Sequence, residues 1–431
     1  MTLEIKFAPE RLQQGSPEEQ AAFGLFTMRV GETLLTEGFD SFINAVRDGP
    51  LVSGYHAAQW LAWNWWRLRW EPRSSSLEWS FAHRMNSIGE GYVWPNLTVS
   101  TDGVRTVLLS RPSQPDAKPF RYAGALPVVL PARDFEQAVD TFVTQVLARL
   151  ENEGVGDSNL ATIWRDVQAE RRDPDRAAQR KMEALLGHEP DEASDELLAI
   201  LRREADALGR DAVEEMAAQG EHGIRTSAEL SEIAAAQGFE ADPRDAAGLA
   251  VRFPANGATP AWRIGADAAR ALRQAEHLGA APISNARLAR MTGVRVAAIK
   301  QHRAKPPFSF ALDEGRQRSH VVLSGAHEVN RRFALARLLG DRLFSGDGSL
   351  HPATTAETYR QKAQRSFAAE LLSPFEVVDD MMAGDYGVDR QAEVAEHFDV
   401  SGMTINSLLK NHGRLERDAG DFDVESVSLA A

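Results

Sequence analysis

The string His327-Glu328-Val329-Asn330-Arg331 begins like a zinc-hydrolase motif. Two histidines four apart share one helical face and can hold zinc, and a glutamate beside the first can take a proton from metal-bound water. Here the second histidine is replaced by Arg331, which has no lone pair to give. Further along the same stretch stand Arg337, Leu338 and Asp341. Arg337 and Asp341 are four apart and of opposite charge, so they can pair across one helical turn. If exposed, such a pair contributes about 0.3–0.5 kcal/mol. His320 and His351 are further ligand types, but nothing in the spacing of His320, His327 and His351 argues that they converge.

A second kind of chemistry is suggested by residues 286–302, ARLARMTGVRVAAIKQH. Leu288-Ala289, Gly293-Val294 and Ile299 have the rhythm of a helix-turn-helix framework. Arg295, Lys300 and Arg303 would supply cations for phosphates. The competing reading is a structural three-helix role. Residues 392–411 repeat the rhythm with Val394-Ala395, Val400-Ser401 and Ile405, but only Lys410 is basic there. Asp385, Asp389, Glu393, Glu396 and Asp399 flank it, so this second string reads as a packing element. Near the N-terminus, residues 83–95, HRMNSIGEGYVWP, mix His, Asn, Glu and Gly with aromatics and could line a pocket.

The elements that must position these groups are a short β run and long helix over 321–344, then a second helix within 358–378 that ends at Pro374. Arg332-Phe333, Leu335-Ala336 and Gly340 lie in the first helix. Phe367-Ala368-Ala369-Glu370-Leu371-Leu372 and Pro374 lie in the second. Ala395-Glu396-His397-Phe398-Asp399-Val400-Ser401 follows later. Taken together, these residues make about 280–415 resemble the ImmA/IrrE metallopeptidase family. That family has a first helix RF-x-L-A-H-E-x-G-H, a second E-x-x-A-N-x-F-A-A-x-L-L-M-P, and a tail element A-x-x-F-x-V-S.

The resemblance implies a zincin-like helical domain with a small sheet. It also aligns the family's zinc histidines with Arg337 and Asp341, its general base with Leu338, and its third ligand with Gln361. Its Ala-Asn pair becomes Gln364-Arg365. Leucine cannot take a proton from water, and a glutamine amide is a poor zinc ligand. The motif is therefore degenerate, and no catalytic residue, metal or cofactor is expected. The Arg337–Asp341 ion pair is expected to help fill the former metal position. Family members with the motif intact are zinc endopeptidases. Many cleave a repressor, and many sit beside toxin–antitoxin or phage-defence genes. By resemblance, this chain is a bacterial regulatory or defence-associated pseudoenzyme that binds a protein partner without cutting it. Two alternatives stay open: a DNA-binding transcriptional regulator acting through 286–303, and a zinc-dependent endopeptidase acting on a repressor.

The rest of the chain sets the frame. Seven of the nine tryptophans fall between Trp60 and Trp94, and Tyr55–Trp70 is apolar almost all round, which predicts a buried helix. Residues 94–110 predict a hairpin about Asp102-Gly103. Phe135, Val139, Phe142, Val146 and Leu150 predict an amphipathic helix over 132–151. Charge is uneven. Residues 186–245 hold 16 acidic and 5 basic residues, and 285–345 hold 12 basic and 4 acidic. Those runs read as solvated faces, or as contact surfaces for a partner or DNA.

The fold class expected is α+β and mostly helical. A Trp-rich α+β domain spans 1–130, an acidic helical region 131–245, a degenerate peptidase-like domain 246–415, and a loose tail 416–431. The absence of cysteine excludes thiol nucleophiles, Cys-bound zinc and disulfides, and fits a reducing cytoplasm. No apolar run suits a signal peptide or membrane span, so a cytoplasmic location with no membrane partner is expected. Nothing in the sequence specifies an oligomeric state.

Overall fold

A computed structural model describes residues 2–114, 118–242, 257–303, 306–315, 318–344 and 348–417. The protein is α+β, 51% helical and 16% strand, with small antiparallel sheets, so helices dominate as the sequence predicts. It divides into two compact units. The first runs to Ala193 and takes in Gly257 and Ala258; the second holds the other described residues from Ser194 to Arg417. The break falls inside the acidic stretch 131–245. The expected domain start at 246 and the tail beyond Arg417 lie outside the described residues.

In the N-terminal unit, β1 (Leu3–Pro9) and β2 (Phe23–Val30) pair antiparallel and turn Leu3, Ile5, Phe26, Met28 and Val30 inward. The predicted helix over 55–70 forms as two, α1 (Gly54–Trp63) and α2 (Trp65–Trp70). The break is at Asn64, whose side chain donates to the Trp60 carbonyl at 2.9 Å. This is the competition for backbone groups that makes Asn a poor helix-interior residue. Then come α3 (Leu77–His83), the predicted hairpin β3 (Leu97–Thr101) and β4 (Arg105–Ser110), and β5 (Val128–Pro131). Asp102 Oδ1 accepts from the amides of Val104 and Arg105, which closes the hairpin turn.

The helix α4 (Ala132–Asn152) buries all five apolar positions that the sequence singles out. The Phe142 ring lies 5.8 Å from Phe26 and 6.4 Å from Phe7. This packing is why the helix belongs to the N-terminal core and not to a separate acidic region. The helices α5 (Asn159–Arg172) and α6 (Pro174–Leu186) complete the unit.

The C-terminal unit begins with α7 (Asp195–Leu208) and α8 (Arg210–Ala217). Its sheet joins β6 (Phe239–Ala241), β7 (Ser309–Glu314), β8 (Arg318–Val322) and β9 (Leu350–Ala353) in the order β6-β8-β7-β9. Besides a helix over Ser227–Gln237, its helices include α9 (Ala261–Ala275), α10 (Asn285–Met291), α11 (Ala297–Lys300), α12 (Glu328–Phe344), α13 (Tyr359–Leu372), α14 (Phe375–Met382), α15 (Val388–Phe398) and α16 (Gly402–Asn411). Thr358 caps α13 by accepting from the Gln361 amide, and Pro374 follows its end. The helices α12 and α13 pack closely because Gly340 faces the Phe367 ring. A Cβ at Gly340 would stand 2.6 Å from Phe367 Cδ1. Among the described residues no helix is long and apolar enough to cross a membrane.

Candidate functional site

The facing sides of α12 and α13, with β9 beside them, gather Arg337, Asp341, Gln361 and Gln364. Asp341 is fully buried there. Arg360 grips it with both arms of its fork, Nε to Oδ1 at 2.7 Å and Nη2 to Oδ2 at 2.6 Å. His351 Nδ1 lies 3.0 Å from Oδ2, and Gln364 Nε2 donates to Oδ1. On its other side, His351 Nε2 lies 3.4 Å from Asp313, which Arg342 also holds. Charge therefore alternates through one buried chain: Arg342, Asp313, His351, Asp341, Arg360.

Burial alone would push the Asp341 carboxyl up. The Arg360 charge and the His351 hydrogen bond outweigh it and hold the group below the usual carboxylate range. Burial would likewise push His351 down, but its bonds to Asp313 and Asp341 raise it. The imidazolium is thus stabilised between two carboxylates.

Arg337 and Asp341 do not form the expected ion pair. Arg337 instead donates to the Thr354 carbonyl at 2.7 Å and to the Gln361 side-chain oxygen, and reaches Gln364 Oε1 at 3.4 Å. Gln364 bridges the two residues, its amide facing both. The physical reason is geometric. Arg337 is taken up by the Thr354 carbonyl and Gln361, whereas Arg360 on the facing helix presents its planar fork to Asp341. Burial, with the like charge of Arg365, pushes the Arg337 guanidinium down to about 9, so it stays charged at neutral pH.

Gln361 is fully buried. It accepts from the Thr354 amide at 3.0 Å and donates to the Pro352 carbonyl at 3.1 Å. Leu338 is 2% exposed and lines an apolar pocket with Ala311, Val321, Leu335 and Leu339. Leu338 thus packs α12 against its sheet. Of the four residues His320, His327, Asp341 and His351, only the last two meet. His320 lies on β8, 3.6 Å from Glu314, and His327 is exposed before α12. Among the described residues no group of three His, Asp or Glu is placed to hold a metal ion.

One member of the site escapes the sequence reading. Glu215, on α8, is 6% exposed and accepts from Thr358 Oγ1 at 2.7 Å. Burial pushes its carboxyl up to about 7, against the opposing pull of Arg360 and Thr358, and the Asp341 charge adds to the rise. The acidic run 186–245 reads as a solvated face, which conceals it. A signal was present, because Glu215 lies three residues after Ala212, which is buried on the same helix.

The basic candidates are scattered differently. Arg295 and Lys300 are exposed, on and beside α11, which is a single four-residue turn. A recognition helix tracks a groove with several turns, so 286–303 does not assemble one. Arg303 donates to the Gly238 carbonyl at 2.7 Å and lies 3.8 Å over the Phe239 ring, which pins it to the fold. The second string does form two full helices, α15 and α16, joined at a left-handed Asp399. Of its framework residues, Val394, Ala395, Val400 and Ile405 are buried.

In the N-terminal unit, Trp60, Trp65, Trp66, Trp79 and Trp94 are buried core, while Trp63 is 58% exposed. His83 lines no open pocket. It is fully buried, stacks on Trp79 at 4.3 Å, and lies 2.9 Å from Glu71 Oε2 and 2.8 Å from the Val99 carbonyl. Arg67 holds the same Glu71 and also Glu189. Comparison of the chain with protein-family models, with curated proteins and with solved structures found no match.

Proposed function

We propose that this chain is a non-catalytic, peptidase-like protein of the ImmA/IrrE type that acts by binding a protein partner, in a regulatory or defence-associated role. One observation carries the reading. The space between α12 and α13, where the resemblance would put zinc, is filled by a buried network whose only motif carboxylate, Asp341, is engaged by Arg360, His351 and Gln364. Breaking such a network to admit a dication would strand Arg360 beside the metal.

Exposed apolar groups support the partner-binding half. On the N-terminal unit a hairpin of Gly38–Asp40 and Ala45–Arg47 holds Phe42, Ile43 and Val46 out at 86%, 58% and 66% exposure. Asp40 fixes its tip by accepting from the Phe42 amide and pairing with Arg47. Ordered apolar projections of this kind mark protein contacts.

The test is capture from host extract with the full chain as bait, with and without a zinc chelator. The reading expects a partner of intact mass whose retention ignores the chelator. Recovery of cleaved fragments that vanish on chelation would overturn it and favour the endopeptidase alternative.

A further inference from the structure

The strand β1 pairs with β2 on one side only, so its other side is an edge of the sheet. Which backbone groups face that edge follows from β2. The Phe26 amide donates to the Pro50 carbonyl and the Met28 amide to Thr36 Oγ1, while the Met28 carbonyl accepts from Leu35. Phe26 and Met28 therefore bond away from β1. The ladder to β1 runs through Leu25, Thr27 and Arg29, opposite Ala8, Lys6 and Glu4. The Glu10 amide continues it onto the Phe23 carbonyl at 2.8 Å. Leu3, Ile5 and Phe7 are left to point their N–H and C=O groups outward, and these groups have no partner among the described residues.

An edge of this kind is a template for another strand. A lysine is the usual safeguard, because pairing would bring like charges together. Lys6 does not give that protection here. Glu4 and Lys6 stand on the solvent face, their side chains 50% and 60% exposed and 2.7 Å apart. Only residues with outward groups can bond across the edge, so a second β1 can pair antiparallel only in steps of two residues. With Ile5 opposite its own counterpart, Leu3 faces Phe7 and Glu4 faces Lys6, twice over by symmetry. One step away in either direction, Glu4 would face Glu4 or Lys6 would face Lys6, which is unfavourable. Pro9, with no N–H to give, ends the edge. The edge is thus complementary to itself in one register.

We propose that β1 is a self-association edge, through which two copies of the chain join antiparallel about a two-fold axis at Ile5 and make one continuous sheet. Leu3, Ile5 and Phe7 of each copy donate to and accept from their counterparts, as in any strand added to an edge. The contact between Glu4 and Lys6 within a strand is exchanged for two such contacts between strands, and these fix the register. One strand pair is a small interface, so the association belongs in roughly the micromolar range. It is independent of the partner-binding reading, since the ligand is a second copy of the chain.

The test is sedimentation velocity of the full chain from about 1 to about 200 µM, with hydrogen exchange over β1 read at both ends of that range. The expected result is a shift from one chain to two, with protection of Leu3, Ile5 and Phe7 rising alongside. Glu4→Lys and Lys6→Glu should each weaken association at least about fivefold, because the two-fold axis makes every substitution act twice. The double variant carrying both changes should restore it. Both side chains are exposed, so the variants should keep the fold, which tryptophan fluorescence checks. A chain that stays single at the highest concentration overturns the proposal. So does a dimer that the single variants leave intact, or one that the double variant fails to restore.

Discussion

His83 in the N-terminal unit and His351 in the C-terminal unit are both buried, and each touches a carboxylate that an arginine also grips. Around His83, the partners close the set. Glu71 receives Arg67, and Arg67 also takes Glu189. Burial would push the Glu71 carboxyl up, but the bonds from His83 and Arg67 hold it below the usual range. Nearby, Arg180 takes Glu170, Glu183 and Asp191 together. Around His351 the chain of charges is equally complete up to Arg360, and then one carboxyl is left over. Glu215 has a hydroxyl and an amide for company but no arginine fork of its own. The first arrangement therefore serves the fold, while the second carries an unresolved cost where the peptidase-like resemblance places chemistry. Such costs are retained where something else is gained.

The comparison can be broken most forcefully at Asp341. Asp341→Ala strands Arg360 and His351 in the interior and should cost about 3–5 kcal/mol. Urea unfolding followed by hydrogen exchange in α12 and α13 measures this. Eight of the nine tryptophans lie in the N-terminal unit, so fluorescence follows that unit instead. Glu71→Ala, read by that fluorescence, should cost somewhat less, about 2–4 kcal/mol, because Arg67 keeps Glu189.

Glu215 sharpens the contrast through pH. A carboxyl raised above its unfolded value binds its proton more tightly in the folded state. Its contribution is therefore favourable at low pH and is lost as pH rises from about 4.5 to about 7. The loss amounts to about 3 kcal/mol, and Glu215→Gln should remove it, as denaturation at pH 5 and pH 8 would show. His351, also raised, declines in the same direction, so the informative quantity is the difference between wild type and variant. Asp341 has the opposite sign. Its stabilisation is present above the ordinary carboxylate range and disappears only in strong acid.

Smaller effects follow. Gly340→Ala forces a methyl into the Phe367 ring and should cost about 1–3 kcal/mol through overpacking. Replacing both Arg295 and Lys300 by Ala should leave stability within about 0.5 kcal/mol. It should also leave gel mobility with random DNA unchanged, since α11 is a single turn and Arg295 precedes it.

Much of the frame was legible in the sequence because it follows from pattern. The helix over 132–151 shows in the spacing of Phe135 to Leu150, the hairpin in Asp102-Gly103, and the strand–helix–helix order of 321–372 in its apolar runs. The tryptophan-rich stretch, read as a buried helix, is mainly core. What was not legible depends on contacts between distant residues. Choosing Arg360 over Arg337 as the partner of Asp341 requires knowing that two helices face each other. The single turn of α11 is indistinguishable, by spacing alone, from the start of a recognition helix. Glu215 was obscured by its acidic neighbours although its helical phase was inward. Composition marked an acidic region over 131–245, while packing joins its first helices to the tryptophan core.

The proposal that side chains fill the place where the ImmA/IrrE resemblance would put zinc is tested most directly by the zinc content of the purified full-length protein after dialysis without chelator. The account predicts less than about 0.1 zinc per chain. Near-stoichiometric zinc, lost on mutation of Asp341 or His351, would contradict it.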